Sequence, residues 1–199
     1  MQNLVAFKYL LHWLGLLYAA EGRPGGDAAA KALVEAAAQV PDPLPQPYNY
    51  LPGMAEAALS HNPHGCADVV VAALPLIRWF HVTDSMQSIG ADVGSKMLVT
   101  ELLGPDGMVH HDTIRVGLFV QCPHLDYPAR THGAEETYII LGGGAYWGTH
   151  DRHPVRRTAG EFVFHPSFVP HRSRTLDKPT IAAWRWSGDI RYEAYSCGG

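Results

Sequence analysis

At 199 residues, with 47% hydrophobic and 17% charged side chains, the chain is long enough to bury a substantial core and is near the size of one domain with an appendage. A formal net charge of −4, with acids and bases interspersed, offers no basic stripe to a phosphate backbone, which argues against nucleic acid and for a small-molecule partner. Cys66, Cys122 and Cys197 are odd in number and widely spaced, so they suggest neither a disulfide framework nor a zinc ribbon and favour a reducing cytoplasm.

Residues 4–20 open the chain with an apolar stretch that Lys8 and His12 interrupt and no basic segment precedes. It is too short and broken for a membrane span and reads as a helix packed on the body of the protein rather than an export signal. Leu4, Phe7, Leu10, Leu11, Leu14 and Leu17, then Ala29, Leu33 and Ala37, recur at three- and four-residue spacing and predict two amphipathic helices. Glycines and prolines at residues 22–26 and 41–47 predict breaks. Further helices are expected over 54–60 and over 67–74, the latter ending before Pro75. From about residue 96, short β-branched and aromatic runs broken by Gly, Pro and Asp predict strands at 97–103, 113–121, 137–141, 145–147, 161–164 and 180–186. The expected architecture is mostly β: a helical region over 1–80 packed on a β-barrel over 81–199.

Two segments of the β-rich half carry metal-ligand chemistry. His132-Gly133-Ala134-Glu135-Glu136-Thr137-Tyr138 runs into Gly142-Gly143-Gly144; downstream, Gly160, Pro166 and His171 fall at spacings of six and then five residues. Imidazole and carboxylate ligands suit Zn²⁺, Fe²⁺ or Mn²⁺, and two His plus one Glu leave coordination positions open. Glu136 and Tyr138, two apart on a strand, point to one face, while Glu135 points to the other as a solvated charge. The glycines suit a sharp hairpin after the ligand strand.

This pairing resembles the two motifs of the cupin superfamily, with His132, Glu136 and Gly143 matching the first and Gly160, Pro166 and His171 the second. The resemblance implies a cupin barrel (a double-stranded β-helix) holding one divalent ion. The superfamily pattern also has a histidine two residues before the matched one, where this chain has Arg130, a cation that cannot replace a ligand. Tyr138 beside Glu136 could fill that position. The set His132, Glu136, Tyr138 and His171 with N-terminal helices resembles the bacterial dimethylsulfoniopropionate (DMSP) lyases, and Tyr127 falls where those enzymes carry a second active-site tyrosine. That resemblance implies β-elimination of DMSP to acrylate and dimethyl sulfide. The ion would act as a Lewis acid, Tyr138 as fourth ligand or base, and aromatic faces would hold the sulfonium.

Candidates for that aromatic wall are Tyr127, Tyr146, Trp147, Trp184, Trp186 and Tyr192. Arg130 reads either as a surface charge or as a clamp for a carboxylate. His165 reads as structural or exposed rather than as a wall of the site, and His110-His111 as solvated. Two other classes fit the same ligands: a cupin oxygenase or isomerase acting on a small carboxylate, and a non-catalytic small-ligand binder. A monomer or an edge-paired homodimer is expected.

Overall fold

The computed structural model describes residues 4–45, 53–82, 89–149 and 153–197. Its helices are α1 (Val5–Ala19), α2 (Pro24–Ala38), α3 (Met54–Leu59), α4 (Ala67–Ala73) and the short α5 (Ala91–Gly94). Phe7, Leu10, Leu11, Leu14 and Tyr18 form the buried stripe of α1, while Tyr9 and Leu16 face out. The break expected over 22–26 is shorter than that, because α2 already starts at Pro24 and runs through both following glycines. Proline at the first helical position needs no N–H donor and arrives with helical φ. Gly25 belongs in the helix for a packing reason, since a Cβ there would stand 2.6 Å from the Arg185 guanidinium. The break at 41–47 is non-helical as far as residue 45, and its remainder lies outside the described residues. After α4 a single 3₁₀ turn, Leu74–Leu76, carries the chain past Pro75.

The strands are β1 (Phe80–His81), β2 (Met97–Gly104), β3 (Val109–His110), β4 (Arg115–Gln121), β5 (Asp126–Thr131), β6 (Ala134–Gly142), β7 (Gly144–Thr149), β8 (Val155–Thr158), β9 (Phe162–His165), β10 (His171–Arg174), β11 (Thr180–Gly188) and β12 (Ser196–Cys197). They build two sheets, one in the order β1-β2-β4-β11-β6-β9 with β3 beside β2, the other β12-β5-β10-β7-β8. Pairing is antiparallel except between β2 and β3. The fold is the mostly β cupin type, its two sheets hydrogen-bonded separately rather than as one closed ring. Each of the six expected strands is present, and the others are either two residues long or polar, as in the Arg172 and Arg174 run of β10, so they carry no clear hydrophobic alternation.

Alternation along β6 and β11 divides the interior. Ile139, Leu141, Ile181 and Ala183 face the helices and join the α1–α4 core. Tyr138, Ile140, Ala182, Trp184 and Trp186 face the second sheet. Burying an Ile or Leu of this kind contributes about 1.5–3 kcal/mol. The helical layer is also tied to the sheet by charge: Glu21, just after α1, accepts a 2.7 Å bond from Arg185 Nε and another of 2.7 Å from the Thr137 hydroxyl. Between β6 and β7 the chain crosses from one sheet to the other through Gly143 at φ +73°, where a Cβ would collide with the Pro179 carbonyl. No helix among the described residues is long and apolar enough to cross a membrane.

Candidate metal centre

His132 lies in the turn between β5 and β6, Glu136 on β6 and His171 at the start of β10, so three elements from both sheets converge. All three side chains are buried, and one potential ligand atom from each lies within 4.8 Å of the others. The histidines are oriented from behind. His132 Nδ1 donates to the Ala134 carbonyl at 3.0 Å and His171 Nδ1 to that of Val169 at 2.9 Å. Each ring therefore presents an Nε2 lone pair toward Glu136 Oε2, at 3.2 Å and 3.1 Å. Among the described residues His171 Nε2 makes no well-aligned hydrogen bond despite that proximity. Lone pairs converging on a carboxylate repel one another unless a cation or proton lies among them, so the donor set fits a divalent ion.

Electrostatics agree. Burial alone would raise the Glu136 carboxyl, but positive charge carried on the two histidines outweighs it and holds the group well below its ordinary value, so a cation among these three side chains meets an ionised carboxylate. Trp186 Nε1 fixes the other carboxylate oxygen at 2.8 Å. Burial, then Arg130, lowers His171 to about 4, so its ring is neutral near pH 7, the form that ligates.

Tyr138 shares the inward face with Glu136, as strand periodicity requires, and both line a cavity of about 310 Å³ with His132, Tyr127, Trp184 and Trp186. Across the β6–β11 ladder Trp184 opposes Tyr138 and Trp186 opposes Glu136. Burial first, then the Glu136 charge, pushes the Tyr138 phenol well above its ordinary value, with Arg130 pulling the other way. Arg130 is buried, which removes the surface-charge reading; its Nη2 lies 3.4 Å from the Tyr138 hydroxyl. Glu135 is exposed, as expected.

Tyr127 is also in the cavity, its hydroxyl 2.5 Å from that of Tyr195, and burial pushes its phenol up to about 12. Tyr195 was absent from the expected site. It precedes β12, which pairs with β5 beside Arg130 and Thr131, and its ring stacks on His132 with centroids 6.1 Å apart. No motif marks this C-terminal strap, so only the pairing reveals it. Of the expected aromatic wall, Tyr127, Trp184, Trp186 and Tyr192 line the cavity. Trp147 instead packs behind Tyr138 at 4.6 Å, and half-buried Tyr146 lies outside the cavity, with Arg174 over its ring. His165 is not exposed: it sits opposite Glu136 and stacks on His171 at 4.0 Å, and among the described residues neither ring nitrogen has a hydrogen-bond partner.

A family model described as dimethylsulfoniopropionate lyase matches residues 28–182. The dimethylsulfoniopropionate lyase DddQ of Ruegeria pomeroyi is 34% identical over 123 residues, 62% of this chain. The alignment spans 61% of that relative, under two thirds of its length. The crystal structure of DMSP lyase DddQ from R. pomeroyi DSS-3 superposes with a TM-score of 0.65 at 28% identity, covering 94% of this chain and 93% of that one. A chain from the crystal structures of the DMSP lyases RdDddP and RnDddQII gives a TM-score of 0.66 at 24% identity, covering 96% and 100%, a likeness of fold.

Proposed function

Since the chain belongs to the dimethylsulfoniopropionate lyase family, we propose that it splits DMSP into acrylate and dimethyl sulfide by a metal-dependent β-elimination in the cavity between its two sheets. The observation that carries this reading is the convergence of His132, Glu136 and His171 on one another beside a cavity that His132, Glu136 and Tyr138 line. We read the chain as a helical region over 1–80 packed on a cupin barrel over 81–199. It would act in the cytoplasm as a monomer or homodimer on a small molecule, with neither nucleic acid nor membrane as partner.

His132, Glu136 and His171, with Tyr138 as fourth ligand or base beside them, would hold one divalent ion, zinc, iron or manganese, which when bound supplies Lewis acidity and positive charge to the site. The chain's own groups do the rest. Tyr138 as phenolate takes the proton from the carbon next to the carboxylate, the electron pair left behind becomes the carbon–carbon double bond, and the carbon–sulfur bond breaks. The sulfonium leaves as neutral dimethyl sulfide, so no acid is needed, and Tyr138 returns its proton to solvent. The buried phenol resists ionisation unless cations stand close, a need that Arg130 helps to meet at 3.4 Å. Tyr127 would hold or relay a proton through Tyr195. Trp184, Trp186 and Tyr192 offer ring faces to the sulfonium and keep bulk water from the reacting carbon.

Headspace detection of dimethyl sulfide from metal-loaded protein given DMSP tests the reading. Sulfide is expected from the native protein and from neither Tyr138→Phe nor His132→Ala; native protein that is metal-replete and releases none overturns it.

A further inference from the structure

Three buried arginines of the strands can be compared. Arg185 holds Glu21 by two bonds, and Arg115 holds Glu101 at 2.6 Å and Asp106 at 2.9 Å. Arg130, equally buried, has no such partner among the described residues. Its contacts are the His171 carbonyl at 3.4 Å, the Tyr138 hydroxyl at 3.4 Å and the face of the Tyr127 ring at 3.9 Å. All are neutral in the resting site, where the buried Tyr138 phenol is un-ionised, and the hydrogen bonds are long. The nearby carboxylate, Glu136, is already engaged by His132, Trp186 and the approach of His171. A guanidinium cannot shed its charge, and an uncompensated buried charge is expensive to keep. A protein that retains one on a cavity wall has an anion to place there. The planar fork of N–H donors matches a carboxylate in two-point contact.

We infer that Arg130 is an anion subsite of the cavity, taking the carboxylate of a short-chain acid whose remaining atoms extend along the aromatic wall. The inference rests on the proposed reading only in expecting a carboxylate substrate; the subsite itself is a property of this chain. Arg130 selects acids over their neutral analogues, and the ion bound by His132, Glu136 and His171 does not replace it in that selection. Arg130 also joins substrate position to the base, because the same guanidinium reaches the Tyr138 hydroxyl.

The test is calorimetric binding of propionate, and of propionamide as its uncharged counterpart, to metal-loaded native protein, Arg130→Gln and Arg130→Lys, with metal content measured on each. The expected result is at least a tenfold loss of propionate affinity in Arg130→Gln, a change below twofold for propionamide, and unchanged metal content. Arg130→Lys, which keeps the charge and most of the volume, should lose less, and it carries the test if Arg130→Gln fails to fold. Equal loss of both ligands, or loss of neither, overturns the assignment. So does an intact acid preference in Arg130→Gln accompanied only by a shifted pH–rate profile, which would make Arg130 a positioning residue for Tyr138. Propionate selection in a protein that releases no dimethyl sulfide would sustain the subsite and sink the proposed reaction.

Discussion

Two buried arginines on either side of the sheet that carries β6 and β11, Arg185 against the helices and Arg130 reaching in from β5 across the cavity, are treated in opposite ways. On the helix side, Arg185 meets the Glu21 carboxylate and the Ser187 hydroxyl, and Glu21 also takes the Thr137 hydroxyl. In the cavity, where Arg115 is matched by Glu101, Arg130 meets only neutral groups among the described residues, the Tyr138 phenol and the His171 carbonyl. The residues alternate along the same strands, Thr137 between Glu136 and Tyr138, and Arg185 between Trp184 and Trp186. A matched buried charge holds elements together, whereas an unmatched one is poised for a partner that the chain does not supply.

Removing the base from the inner face should have the largest effect. Tyr138→Phe is expected to lower the elimination rate about 10²–10⁴-fold while leaving the unfolding midpoint within a few degrees, checked by headspace kinetics beside thermal melts. The reverse is expected on the outer face: Glu21→Gln strands Arg185 in the interior and should cost about 3–5 kcal/mol of stability in urea unfolding, with the rate per folded molecule little changed. Arg130→Met sharpens the contrast. It removes a charge with no counter-charge, so the metal-free protein should melt at the same temperature or higher, and a loss comparable to that of Glu21→Gln would show that the two arginines do not differ.

Acid should distinguish the faces as well. The folded state depresses His171 from 6.5 to about 4, so the unfolded chain takes up its proton first. The stability that the neutral ring confers is complete above about pH 6.5 and lost as pH falls toward about 4, roughly 3 kcal/mol in metal-free protein. Unfolding followed over that range should show a steep slope in native protein and a shallower one in His171→Phe, the remainder belonging to His165, which burial also holds well below its ordinary value. The smallest effect is expected from Tyr195→Phe, which removes the hydroxyl partner of Tyr127 and should slow turnover about tenfold or less without changing metal content.

Much of this was legible in the sequence because chemistry and periodicity coincide. His132, Glu136 and His171 could be read from their match to the two cupin motifs, and the shared face of Glu136 and Tyr138 follows from the two-residue repeat of a strand. Central strands such as β4 and β11, buried on both faces, announce themselves as apolar runs. What stayed hidden depends on long-range pairing. Arg130 lies on the polar β5, where surface charge and carboxylate clamp read alike until β10 and β12 close on either side of it. His165 could not be placed before its register opposite Glu136 was known. Tyr195 follows every motif and is brought to the site by a two-residue strand. Pro24, read as a breaker, starts a helix instead, because a proline's meaning depends on which side of the first turn it occupies.

The most direct test of the central claim follows DMSP by proton NMR with protein stripped by a chelator and then reloaded with a single divalent metal. The account predicts vinyl signals of acrylate rising in equimolar step with dimethyl sulfide after reloading, and neither before it. Turnover in the stripped protein, or a product without the vinyl group such as 3-hydroxypropionate, would contradict a metal-dependent elimination at His132, Glu136 and His171.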